Sequence, residues 1–379
     1  MKEIKKITVF TIGDSRKIST WSGIPYFLTR QLELEGIKVN RVNIAPNRYL
    51  NWLYNHSVFP LRQKFHPGTE YNYIRSHLYR FLTCLKVLIY QILYKDADID
   101  LMLTYSINVI YRRERTTMLC DWTLEQYIKN QLKRPLYKEE ENYQEYETHC
   151  LKKVKHVLSL FPVSASYLTA KLGKEVKYLG SNVVNNCYEG TVSPGLIEKK
   201  YKRQLLLFVG RSAYAKGAQL LLDSFLILQK NFPKLELHFV GITSDTLQIT
   251  EIPSNVYFHG YLKKEIDSDR VLYYDLLTQA TVFVNPTQEW GGYSSTIEAM
   301  YFYTPVVVAP YNEFVSEFGD SIGFGSYLNE YSIEKLTKSI SQCLNSDKIT
   351  YFKLANNAHE RVANHTWDRY TKLLLNILY

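Results

Sequence analysis

Between residues 205 and 309 short apolar runs alternate with helical segments, a rhythm that few folds accommodate. The runs at 205–209, 235–240, 256–259, 281–285 and 305–309 read as strands, most of them separated by a segment with helical periodicity. Strands this continuously apolar are buried on both faces, which predicts a parallel sheet covered by helices on both sides. The first half repeats the theme less cleanly, with strands expected at 7–12, 39–44, 100–104, 116–120, 156–161 and 176–179 and a helix over 24–34. Residues 47–94 read as helices with irregular connections, and 125–155 as a charged helical segment broken near Pro135. Residues 186–204 contain Gly190, Pro194, Gly195 and a Lys pair without apolar periodicity, and read as a linker. The expectation is an α/β protein of two doubly wound, Rossmann-like domains, 1–185 and 205–355, facing each other across a cleft.

At 379 residues the chain is long enough for two cores, and its 46% hydrophobic and 22% charged residues are those of a globular protein. There is no apolar run of about 18 residues and no leading h-region, so neither a spanning helix nor a signal peptide is expected. Five scattered cysteines without a C-x-x-C pair predict reduced thiols in a cytoplasmic protein and no cysteine metal site. Positive charge is concentrated at the front: residues 1–185 carry 28 Lys and Arg against 17 Asp and Glu, the remainder 18 against 20. A basic half suits an anionic membrane surface or a phosphorylated partner, or is plain solvated charge. No helix-turn-helix, zinc-finger or RNA-binding motif accompanies it, which argues against nucleic acid. Residues 71–93 are apolar on one face with Arg75, Arg80 and Lys86 interspersed; the reading favours a core-packed helix over an acceptor- or membrane-facing one.

Two loops hold the candidate chemistry. Strand 282–285 stops at Pro286 and is followed by Glu289, Gly291 and Gly292, then a helix over 295–303 carrying Glu298. A Gly-containing loop between a strand and a helix N-terminus is an anion site, and carboxylates beside it suit hydroxyl groups. Glu298 follows Ser295 by three, which also fits a capping box. Strand 205–209 runs into Gly210 and Arg211, then Lys216 and Gly217 ahead of a helix over 218–229. A guanidinium fork and an ammonium over one loop can neutralise a diphosphate. In the first half the loop 13–23 is longer than a connection needs and leaves the carboxyl end of a strand, where α/β proteins bind ligands.

The series Val209-Gly210-Arg211, Lys216-Gly217, Phe239-Val240-Gly241, His259-Gly260, Asn285-Pro286, Glu289, Gly292, Glu298-Ala299-Met300 and Pro305-Val306-Val307 resembles the retaining GT-B glycosyltransferases of family GT4, the glycosyl transferases group 1. The resemblance is close across the second half and weaker in the first, through the opening strand and Gly loop, Asp121, Ser164 and the late Trp367 helix. It implies a GT-B fold, with a C-terminal helix, 356–379, returning to the first domain. It also implies a hexosyl- or other glycosyltransferase that moves a sugar, with retention and without a metal or cofactor, from a nucleotide-sugar, UDP- or GDP-linked, to a glycan or lipid-linked glycan. Arg211 and Lys216 would hold the diphosphate, Glu289 the sugar hydroxyls and Glu298 the ribose. Gly210, Gly291, Gly292, Tyr293 and Ser294 would line the phosphates, and His259, Gly260 and Leu262 the base. Gly13 and Gly23 would meet the donor from the first domain.

Three departures stand out. The family separates its two glutamates by seven residues, whereas Glu289 and Glu298 have eight between them. It favours Gly before the Pro-Val-Val strand, where this chain has Thr304. Many members place His on a first-domain strand facing the donor; here Leu119-Cys120-Asp121 occupies the place, making Asp121 the candidate. The Asp98-Ile99-Asp100 match to a metal-binding D-x-D reads as a turn before a strand. The alternative to an enzyme is a non-catalytic GT-B subunit that binds a partner or acceptor; a dinucleotide oxidoreductase is disfavoured because no G-x-G-x-x-G follows any strand.

Overall fold

The computed structural model describes residues 4–180, 183–249, 251–288 and 292–378, and divides into two compact units. The first comprises residues 1–181 and 367–379, the second residues 182–366.

In the first unit β1 (Lys6–Thr11), β2 (Lys38–Asn43), β3 (Ile99–Met102), β4 (Thr116–Cys120), β5 (His156–Ser159) and β6 (Lys177–Tyr178) form one parallel sheet in the order β2-β1-β3-β4-β5-β6. The helices are α1 (Ile24–Leu34), α2 (Arg48–Phe65), α3 (His77–Leu93), the single turn α4 (Leu124–Tyr127), α5 (Lys138–Lys153) and α6 (Pro162–Leu172). Their core gathers Phe10, Val87, Met102, Met118, Leu151, Val157 and Leu168. Strand order reverses between β1 and β3, and the loop after β1 leaves the sheet at that switch point.

The second unit contains α7 (Gly195–Lys200), β7 (Leu205–Val209), α8 (Ala215–Asn231), β8 (Glu236–Val240), β9 (Val256–Phe258), α9 (Asp267–Gln279), β10 (Val282–Asn285), α10 (Ser294–Tyr301), β11 (Val306–Val308), α11 (Asn312–Phe318), β12 (Gly325–Tyr327), α12 (Ile333–Leu344) and α13 (Lys348–Val362). Its sheet is parallel throughout, in the order β12-β11-β10-β7-β8-β9. This is the doubly wound order, with its switch point between β7 and β10. The last helix, α14 (Trp367–Leu378), belongs to the first unit, where Trp367 stacks on Phe27 of α1 at 6.4 Å between ring centroids.

Two readings are corrected. The expected linker holds α7, whose Leu196, Ile197 and Lys200 are buried in the second unit. Lys200 Nζ donates to Leu277 O (2.6 Å) and Thr304 Oγ1 (2.5 Å), and burial without an anion drives its pKa well below the ordinary lysine value. Thr304, the departure before β11, is therefore a partner for a buried amine. The second correction concerns α3, which buries Tyr79, Thr83, Val87 and Gln91 and leaves its apolar face exposed. Among the described residues no helix is long and apolar enough to cross a membrane, and the five cysteines are unpaired.

Candidate active site

The carboxyl ends of β7, β8 and β9 are joined by backbone bonds: Gly210 N donates to Val240 O (2.9 Å), Gly241 N to Gly260 O (2.6 Å) and His259 N to Phe239 O (2.9 Å). Glycine is required at Gly241, where φ is +88° and a side chain would run into the Gly210 carbonyl. Gly210 is similarly enclosed, with Tyr214 and Phe208 ring atoms at 2.8 and 2.9 Å from any Cβ placed on it. From this edge Arg211 and Lys216 rise into solvent, and neither forms an ion pair with a described residue. The Arg211 guanidinium lies over the Tyr261 ring at 4.8 Å, which ties the loop after β7 to the loop after β9.

The loop after β10 meets the same place. A Cβ on Gly217 would stand 3.0 Å from Thr287 N and 3.1 Å from Thr287 Cα, with Thr287 Oγ1 nearer still. Ser295 Oγ reaches Val209 O at 3.4 Å. The two loops singled out in the sequence thus leave adjacent strands and touch at the switch point. Glu289 and Gly291 lie outside the described residues. Gly292 is half-buried, Ser294 opens α10, and the Tyr293 side chain is buried against Tyr311, Phe314 and Phe318.

Glu298 settles one alternative. The helix starts at Ser294 with Tyr293 at its N-cap, two residues ahead of the capping-box register, and no side-chain cap bond forms. Instead Glu298 Oε2 accepts from Lys264 Nζ (2.9 Å) and Tyr273 OH (2.6 Å) in a buried setting. Lys264 also lies over the Tyr273 ring at 4.4 Å. Neither Lys264 nor Tyr273 was singled out in the sequence; the only signal was the Lys263-Lys264 pair, which begins three residues after Gly260.

His259 is half-buried at the end of β9, its Nε2 2.9 Å from His238 Nδ1, while His238 Nε2 lies 3.2 Å from Glu236 Oε2. Burial holds both imidazole pKa values below their ordinary value, and the carboxylate then orders the pair: His238 donates from Nε2 to Glu236 and accepts at Nδ1 from His259. Gly260 takes a left-handed φ of +61°, and Leu262 is half-buried just beyond it.

In the first unit Gly13 has φ +119° and donates to Asn43 Oδ1 at 3.1 Å; a Cβ there would be 2.8 Å from Thr20 Cγ2. Trp21 and Ser22 follow with φ of 42° and 55°, and Gly23, at +87°, opens α1. Two consecutive non-glycine residues in the left-handed region store about 2 kcal/mol, and strain of this kind collects at ligand loops. Asp121 ends β4, half-buried, with Oδ1 accepting from Trp122 N (2.7 Å) and Cys120 Sγ (3.2 Å). Asp98 and Asp100 are engaged in the fold: Asp98 Oδ2 accepts from Lys5 N and Lys6 N, while Asp100 is buried in β3 with Gln91 and Arg112. Among the described residues no three His, Cys, Asp or Glu side chains converge as metal ligands.

Residues 196–361 match the family model described as glycosyl transferases group 1. No curated protein matches the sequence. A glycosyltransferase from Rickettsia africae superposes over 100% of this chain and 98% of its own, with TM-score 0.65 at 14% identity. Anabaena Alr3699/HepE, solved with UDP and glucose, does so over 99% of both chains, with TM-score 0.63 at 14% identity. A variant of S. aureus TarM, solved with fondaparinux, α-GlcNAc-glycerol and UDP, gives TM-score 0.58 at 16% identity over 78% of this chain and 58% of that one, so this chain spans less than two thirds of TarM. At such identities the likeness establishes the fold. Residues 196–361 of the second unit thus resemble a glycosyl transferases group 1 domain, and the chain has the GT-B fold seen in glycosyltransferases.

Proposed function

We propose that the protein transfers a sugar from a nucleotide-sugar to a hydroxyl of a glycan or lipid-linked glycan, with retention at the anomeric carbon and without a metal, at the cytoplasmic face of a membrane during polysaccharide synthesis. The observation that carries the reading is the convergence of exposed Arg211 and Lys216 with the anchored Glu298 at one switch point. In the reaction the bond from the anomeric carbon to the diphosphate breaks, and a bond from the acceptor oxygen forms on the same face. The acceptor proton passes to the departing phosphate. Arg211 and Lys216 stabilise the charge that develops there, a contribution of about 3 kcal/mol per well-placed donor when water is excluded. Glu298 holds the ribose: Oε2 is fixed by Lys264 and Tyr273, and Oε1 is the oxygen assigned to accept from a hydroxyl.

Glu289 is assigned to the hydroxyls of the donor sugar, the amides of Gly291 to Ser294 to its phosphates, and Gly210 to the floor beneath them. His259, Gly260 and Leu262 are assigned to the base. Gly13 and Gly23 are assigned to donor contacts from the first unit, and Asp121 to the reacting sugar. UDP in the Alr3699/HepE and TarM structures favours a uridine nucleotide over a guanosine one. The test is a thermal-shift screen against UDP-, GDP-, ADP- and CMP-sugars, followed by turnover of any donor that binds. Lys216→Ala, Glu289→Ala and Glu298→Ala each lower transfer about a hundredfold or more at retained fold, and Asp121→Asn lowers kcat with the donor KM unchanged. Near-normal transfer in the three alanine variants removes the assignment, and donor binding without hydrolysis or transfer in the wild type indicates a non-catalytic subunit.

A further inference from the structure

Helix α3 presents opposite faces of unlike fate. Tyr79, Thr83, Val87 and Gln91, spaced by four, are buried. The opposite stripe is Leu78, Phe81, Leu82, Leu85, Ile89 and Ile92, all exposed, Phe81 to 67%. Soluble proteins rarely leave so continuous an apolar stripe in water unless something covers it. The positions recur at i, i+3, i+4 and i+7, so they line one side of a helix about 25 Å long. Helix α2 adds exposed aromatic rings at Tyr49 and Trp52, and α2 and α3 share a support, since the Tyr73 ring packs on Tyr54 of α2 (5.6 Å) and on Tyr79 of α3 (5.7 Å).

Charge identifies the occupant. From residue 36 to residue 95 the only acidic residue is Glu70, against nine Lys and Arg. Helices α2 and α3 contain no Asp or Glu. Arg48, Lys64 and Lys95 are exposed around them and Lys86 flanks the stripe. Apolar side chains on one side, helices whose own charged residues are all basic and aromatic residues beside them are what is needed to lie in the headgroup layer of an anionic bilayer. A second copy of this chain fits less well, because a self-paired face would set these cations against one another without counter-charge.

We infer that the outer face of α3, with the basic margin of α2 and α3, docks the protein on an anionic lipid surface. The inference specifies the membrane placement proposed above and is independent of the transfer reaction, because it is assayed without donor. Cosedimentation of the full chain is compared on vesicles of phosphatidylcholine alone and of phosphatidylcholine with phosphatidylglycerol. Binding is expected on the anionic vesicles, weakened at high salt. Leu85→Asp/Ile89→Asp abolishes it with the unfolding midpoint unchanged, since both sites are exposed. Arg48→Ser/Lys64→Ser lowers partitioning by about fivefold for each charge removed. Both variants keep their turnover on a water-soluble acceptor. Equal binding of wild type and Leu85→Asp/Ile89→Asp overturns the inference. So does binding by neither vesicle type together with a concentration-dependent dimer that this variant loses, which assigns the face to self-association. If vesicle binding fails while transfer persists, the docking surface is wrong and the proposed reaction stands.

Discussion

Gly217→Ala is the sharpest probe of how the site is assembled. In an ordinary helix the change is stabilising by about 1 kcal/mol, because glycine loses more backbone entropy on ordering. Here the added methyl points at the loop after β10, with Thr287 N at 3.0 Å and Thr287 Cα at 3.1 Å from it and Thr287 Oγ1 nearer. Backbone cannot rotate away as a side chain can, so α8 and Thr287 must separate by several tenths of an ångström. Overpacking of this kind costs about 1–3 kcal/mol, leaving a net loss of about 0–2 kcal/mol after the helix gain. Displacement of the loop against Lys216 then lowers transfer, and a shift of about 1 Å is worth about a hundredfold. Thr287→Ala removes the nearest atom but not Thr287 N or Cα, so in the double variant it restores part of the stability, a coupling of about 1 kcal/mol. Urea denaturation of the four proteins measures the cycle, and donor turnover is followed in parallel. A Gly217→Ala protein that is more stable than wild type and fully active would refute the contact between the loops.

Other expectations follow from buried charge. Lys264→Met leaves Glu298 buried with Tyr273 as its remaining side-chain donor among the described residues and costs about 3 kcal/mol of stability, read by denaturation, together with a raised donor KM. Lys200, whose folded pKa is depressed well below its unfolded value, contributes stability present above the unfolded pKa and lost as pH falls through the range below it. Lys200→Met accordingly raises stability at neutral pH and flattens the rise of stability toward alkaline pH. Leu277→Ala leaves the Leu277 carbonyl in place and gives only the ordinary cost of a core cavity, about 3 kcal/mol, without altering that pH profile.

How much could be read from the residues depended on what each signal measures. The strands of the second unit were legible because strands buried on both faces are continuous apolar runs, and β7 begins and ends where expected. β12 escaped notice because Gly325, Ser326 and Tyr327 carry no apolar run; Gly325 is there because Val306 backbone occupies the space a Cβ would take. The helix α7 was hidden by its two lysines, since a charged residue is rarely fully buried and Lys200 is. Periodicity located the apolar face of α3 but could not say that the opposite face, with Thr83 and Gln91, is the one covered. Glu298 could be singled out from its place after the Gly loop, whereas its partners Lys264 and Tyr273 come from a loop and a helix that only the tertiary structure brings to it.

The proposed transfer, from a nucleotide-sugar with retention, rests on Arg211, Lys216 and Glu298. It is tested most directly by proton NMR of the reaction with the donor selected in the thermal-shift screen, run with chelator present. The expected product has a new glycosidic linkage with the anomeric configuration of the donor, formed at an undiminished rate in chelator. A product of inverted configuration, or a rate abolished by chelator and restored by divalent metal, would contradict it.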